Sequence, residues 1–106
     1  MNLDLIPRGN SEEDLIQILK LLAIDLEHKF HDQPYNITPE PLQEILRYLQ
    51  NLKRVTRRHS LLNKVNNLTI TITAAIRYYI NKLYEEFYIR VGVIIDQLKD
   101  LDEKIQ

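Results

Sequence analysis

Residues 68–73 read LTITIT, a strict apolar–polar alternation inside the longer stretch Ser60–Leu98. Read alone, the six residues describe a half-buried strand, and a pairing with the β-branched run Ile89–Ile95 would complete a small sheet. The wider pattern says otherwise. At 100° per residue, Leu61, Val65, Leu68, Ile72, Ile76, Tyr79, Leu83, Phe87, Ile94 and Leu98 fall into one stripe. No Gly or Pro interrupts Ser60 to Val91. Periodicity over some forty residues outweighs alternation over six, so the stretch is read as helix. Ser60 is available as its N-cap, and Thr69 and Thr73 can donate back to carbonyls one turn earlier. Gly92 marks a bend before the tail QLKDLDEKIQ.

Around 76–98 the apolar set widens, as Ile80, Tyr84, Tyr88, Val91 and Ile95 join it and cover half the helical wheel. A helix covering one core face needs an arc of about 100°. Tyr78, Ile89 and Val93 fall outside even the wide arc. The segment 76–98 is therefore expected to be a long C-terminal helix that is either central in its bundle or buried by a partner, and the residues outside the arc favour a protein partner or further copies. Tyr78, Tyr84, Tyr88, Ile89, Val91, Val93 and Ile95 are the expected contact residues.

Working towards the N-terminus, Thr38-Pro39-Glu40-Pro41 opens a second helix, since first-turn N–H groups lack helical acceptors and tolerate Pro. Leu42, Ile45, Leu46, Leu49 and Leu52 form its core face. Before it, HDQPYN is a loop in which Pro34 pushes Gln33 out of helical space. The leading helix starts at Ser11, an N-cap followed by Glu12, Glu13 and Asp14, and carries the stripe Leu15, Ile18, Leu19, Leu22, Leu26 and Phe30. The fold class is all-α, a single domain over residues 1–106 built as a bundle of about four helices.

The totals agree with this. A chain of 106 residues with 44% hydrophobic and 27% charged residues is an ordinary single globular domain. It holds no Cys, so there is no disulfide framework, and an intracellular, cytoplasmic location fits. Charges or amides interrupt every apolar run before the roughly 18 residues of a membrane span, and MNLDLIPRGN lacks the basic-then-apolar order of a signal peptide. The net charge of −1 hides a division. Residues 1–46 hold three Lys/Arg against nine Asp/Glu, residues 47–90 nine against two, and residues 91–106 two against four. A basic centre between acidic ends either neutralises itself on folding or attracts an anionic partner.

The basic centre peaks at KRVTRRH, residues 53–59. Pairing of this helix end with acids of the first helix is the leading reading. The alternative is a nucleic-acid patch in which Lys53, Arg54, Arg57, Arg58 and Lys64, with Arg47 nearby, contact phosphates. No aromatic residue lies between Leu49 and Tyr78, so base stacking has no support.

Catalytic signals are sparse. Gly9 and Gly92 alone cannot make a phosphate-cradling loop, and no H-E-x-x-H, Cys cluster or G-x-S-x-G occurs. His28 and His31 have the spacing of two metal ligands, but a site needs three or four, and they read as polar residues ending an exposed helix. Arg54 and His59 form an R-x4-H that resembles the motif of HEPN-type ribonucleases, which implies an Arg holding the scissile phosphate and a His assisting proton transfer. In that family the motif opens the last helix, whereas here some 45 residues follow. The expectation is no enzyme, no cofactor, no metal and no small-molecule substrate.

One further stretch carries a resemblance. TPEPLQEILRYLQNL (38–52) is similar to the Pro-acid opening and leucine-rich helix of archaeal GINS subunits. AIRYYINKLYEEFYIRVGVII (75–95) resembles that family's long helix, and the helix ending LEHKF takes the place of its leading helix. The likeness covers about 80 residues, the helical A domain. It implies a non-catalytic scaffold of the replicative helicase that packs long helices against sister subunits and contacts MCM and a RecJ-like partner. The family's small β-rich domain has no counterpart in these 106 residues, and Gly92 stands where a basic residue is favoured.

Overall fold

In the computed structural model, which describes residues 11–101, the alternating stretch 68–73 is helical throughout and lies inside α3. MNLDLIPRGN and the final five residues, on which the readings of the leader and the end of the tail fall, lie outside the described residues. Four helices run α1 (Glu12–Asp32), α2 (Glu40–Val55), α3 (His59–Ile80) and α4 (Tyr84–Lys99), with one short 3-10 turn at Pro34–Asn36. The described residues contain no strand.

Local signals at the first helix act as the sequence suggests. The Ser11 hydroxyl accepts the Asp14 N–H at 3.1 Å, and Glu12, Glu13 and Asp14 sit at the positive end of the helix dipole. Gln33, forced out of helical space ahead of Pro34, ends α1 at φ −145°. Pro41 stands in the first turn of α2, where it removes no helical hydrogen bond.

The helices pack around a ring in chain order, α1 on α2, α2 on α3, α3 on α4 and α4 back on α1. Successive helices are antiparallel. Glu12 at the start of α1 meets Thr56 at the end of α2, Lys64 near the start of α3 meets Asp100 just past α4, and Tyr88 of α4 meets Tyr35 just past α1. The array is flattened, 36 × 36 × 22 Å. Its core is wholly apolar among the described residues, with the leucine stripe of α2 (Leu42, Ile45, Leu49, Leu52) facing Leu15, Leu19 and Leu26 of α1 and Leu61, Val65, Leu68 and Ile72 of α3.

The long C-terminal helix is not there. The stripe expected to run unbroken to Leu98 is cut at Asn81–Leu83, and α4 is a separate helix of 16 residues. Lys82 takes the left-handed conformation at φ 64°. Its N–H donates to the Tyr79 carbonyl at 2.9 Å, and the Leu83 N–H donates to the Tyr78 carbonyl at 2.8 Å. These are the two bonds of a Schellman termination, made here with Lys in the position that usually holds Gly. The energetics explain the break. A left-handed non-Gly residue costs about 1–2 kcal/mol. A continuous helix would carry Phe87, Val91, Ile94, Ile95 and Leu98 away from α1 and from the side of α3, and each such side chain gains roughly 1.5–3 kcal/mol when buried. Burial wins by a wide margin, and the chain turns back.

Two smaller expectations are corrected with it. Gly92 does not break the helix, because α4 continues through it; a methyl group there would meet the Phe30 ring at 3.6 Å, ordinary contact. Ser60 is not the cap of α3. That helix starts one residue earlier, at His59, with Arg58 in the capping position and no side-chain cap bond. Among the described residues no helix is long and apolar enough to cross a membrane.

Candidate interaction surfaces

The α2–α3 connection, Thr56-Arg57-Arg58, forms one end of the bundle. Its centre is a small polar ring. The Glu12 carboxylate accepts the Thr56 hydroxyl at 2.8 Å through one oxygen and pairs with the Arg58 guanidinium at 2.6 Å through the other. Thr56 Oγ1 in turn accepts the Arg58 N–H at 3.3 Å. The expected pairing of the basic cluster with acids of the first helix is thus present for Arg58. Lys64 is also engaged, since its Nζ donates to the Asp100 carbonyl at 2.8 Å and so caps the C-terminal end of α4.

The rest of the cluster points outward. Lys53, Arg54 and Arg57 are exposed and form no ion pair with a described residue; Arg54 donates only to the amide oxygen of Asn51. Arg54 and His59 sit on different helices, one in the last turn of α2 and the other at the first position of α3.

The opposite end is aromatic. Tyr84, Tyr79, Phe87, Tyr88 and Tyr35 form a chain of edge-to-face rings with centroids 4.9–5.4 Å apart. The Tyr88 hydroxyl donates to the Tyr35 carbonyl at 3.1 Å. Desolvation, followed by the neighbouring Tyr79, Tyr35 and Tyr84, raises the Tyr88 phenol above its ordinary range. Along the α1–α4 seam Lys99 donates to Glu27 at 2.8 Å, which holds the carboxyl below its ordinary range and the ammonium above.

Of the seven residues expected to meet a partner, two are withdrawn. Val91 and Ile95 are 0% and 3% exposed because they face the chain's own core, pressed there once α4 folds back. Tyr78 and Tyr88 are half-buried; the Arg90 guanidinium lies over the Tyr78 ring, 5.1 Å from its centroid. Tyr84, Ile89 and Val93 remain exposed. Ile70, Ile80 and Leu83 join them on the α3–α4 hairpin, as do Leu21 and Ile24 on α1. Their signal was available as apolar residues on the faces opposite the stripes.

An open pocket of about 350 Å³ lies between the end of α1 and the start of α2, walled by His28, Asp32, Asn36, Thr38 and Pro41. Among the described residues no three His, Cys, Asp or Glu side chains converge as metal ligands would. His31 lies 4.0 Å from Glu27 and edge-on to the Phe30 ring.

No protein-family model, curated protein or solved structure matches this chain.

Proposed function

We propose that the chain is a non-catalytic assembly module that joins a protein partner or further copies of itself through the outward surface of the α3–α4 hairpin. The observation that carries this is the exposure of large apolar side chains there after the core has closed. Ile70 is 67% exposed, Ile80 69% and Ile89 56%, although Ile72, Phe87 and Ile94 on the same helices are fully buried. Single exposed apolar residues are ordinary on a soluble protein; the reading is supported because six of the ten large ones exposed among the described residues lie on this hairpin, with Leu21 and Ile24 on α1 among the rest. Ile89 and Val93 lie one turn apart on the outer face of α4.

The finer reading, a scaffold of the replicative helicase assembly, rests on the resemblance of residues 38–52 and 75–95 to archaeal GINS subunits. The turn at Asn81–Leu83 divides the second of those stretches.

The test is the mass of the particle in solution and in extracts. Sedimentation should show concentration-dependent association of the wild type, or recovery from cells should return a stoichiometric protein that survives nuclease. Ile89→Asp with Val93→Asp should weaken that association at least tenfold, about 1.4 kcal/mol, with helicity by circular dichroism unchanged. A wild type that stays monomeric at about 100 μM and recovers no protein overturns the proposal.

A further inference from the structure

The bundle is electrically two-sided. Between Glu44 and Glu85 the sequence holds no carboxylate, while Arg47, Lys53, Arg54, Arg57, Arg58, Lys64, Arg77 and Lys82 fall in that interval. The fold makes one half of the molecule from it, because the interval is all but the first turn of α2 and the whole of α3, and these helices pack side by side. The other half, α1 and α4, carries most of the described acids.

Within the cationic half one surface is exposed and free of ion pairs with described residues, with Glu40 and Glu44 bordering its Arg47 end. Gln43, Arg47, Gln50 and Arg54 recur at i, i+4, i+7 and i+11 of α2, on the face turned away from Leu42, Ile45, Leu49 and Leu52, and all four are exposed. Lys53 and Arg57 extend the row around the helix end. Arg47, Lys53 and Arg57 form no ion pair with a described residue.

We infer that this outward face of α2, with Arg57 beyond it, is a binding surface for the phosphate backbone of duplex nucleic acid. Three observations select that ligand. Arg47 and Arg54 stand seven residues apart, about 10.5 Å along the helix, a length over which a duplex presents roughly six phosphate charges. Arg and the amides of Gln43 and Gln50 offer planar hydrogen-bond donors suited to phosphate oxygens. The only aromatic residue on α2, Tyr48, is half-buried against the core, so the face lacks the stacking platform that single strands use. An acidic protein surface, that of a second copy included, is the competing ligand: Glu12, Asp25, Glu27 and Glu86 are paired with Arg58, Lys29, Lys99 and Arg90, but Glu13, Asp14, Asp32, Glu85 and Asp96 of the same half are exposed, and the poly-glutamate titration below separates the two. This binding is separate from the assembly surface on α3–α4 and stands or falls without it.

The experiment is a titration of the full chain against a labelled 20-base-pair duplex, the matching single strand and poly-glutamate, at 50 and 200 mM salt. With four phosphates neutralised, duplex affinity should fall about 100-fold between the two salts, and for Arg54→Glu with Arg57→Glu only about tenfold. The same double variant should bind at least tenfold more weakly at 50 mM salt, and Arg54→Gln with Arg57→Gln should lie between it and the wild type. Reversal of a cation on the other half, Lys29→Glu, should change affinity less than twofold. No duplex binding at 50 mM salt, or a salt slope unaltered in the double variant, overturns the inference. Poly-glutamate bound as tightly as duplex would assign the face to an acidic protein instead, and a tighter single strand would remove the duplex.

Discussion

The two connections that flank α3 hold the same kind of junction by opposite means. At Thr56–Arg58 the chain is fastened by side-chain charge, through the Glu12 carboxylate shared between Thr56 and Arg58. At Asn81–Leu83 it is fastened by backbone hydrogen bonds and by a row of aromatic rings, with no ion pair in the turn itself. The difference shows where stability resides. Exposed and half-exposed ion pairs contribute little and are screened by salt, whereas packed aromatic side chains contribute several kcal/mol that salt does not touch. The polar end is therefore free to present cations outward, and the aromatic end is the one the fold depends on.

The comparison breaks most directly at Phe87, the fully buried ring at the centre of the aromatic chain. Phe87→Ala should cost about 3–5 kcal/mol in chemical denaturation, with a loss independent of salt. At the polar end the expected effect is smaller. Glu12→Ala removes the Thr56 and Arg58 contacts and a first-turn acid together, and should cost about 1–2 kcal/mol at low salt and visibly less at 1 M. A double-mutant cycle with Arg58→Ala would apportion that loss, and a coupling unchanged by salt would mean that charge does not fasten this end. The smallest change should be a gain. Lys82→Gly relieves the left-handed residue while keeping both bonds of the turn, and should stabilise the protein by about 1 kcal/mol. A loss instead would mean that the Lys82 side chain contributes a contact of its own.

The same contrast separates what could be read from the sequence from what could not. Ser11 with its three acids and Pro34 act through local geometry where the sequence puts them, whereas the α1 stripe is shifted: Ile16 and Ala23 are buried, and Ile18, Leu22 and Phe30 are only half-buried. LTITIT is helical because the 22 residues of α3 around it keep the helical period, although that period does not carry the helix past Ile80. The pairing of the basic cluster with the first helix was legible in part, since charge complementarity points to α1 but cannot say that Arg58 is the residue engaged while Arg57 is not. The turn at 81–83 was illegible because its local chemistry argues against it. Lys is a good helix former and a poor left-handed residue, and only burial of Phe87, Val91, Ile94, Ile95 and Leu98, nonlocal contacts, overrides that preference. Reading through the turn then misassigned Val91 and Ile95, which belong to the core rather than to a partner. The spacing of Gln43, Arg47, Gln50 and Arg54 along one face of α2 is also legible in the sequence, once the helix has been placed.

The circular packing order has a consequence for how the molecule comes into being. Three of its four helix–helix seams join chain neighbours, so they can form as soon as each hairpin exists, and a fold dominated by such short-range contacts belongs to the class that completes in microseconds to milliseconds. The fourth, α1 with α4, is different: its hydrogen bonds Tyr88–Tyr35 and Lys99–Glu27 close loops of 53 and 72 residues. On a growing chain that seam must wait until α4 has left the ribosome, and α1 spends the interval with the flank that Phe30 and Glu27 occupy open to water.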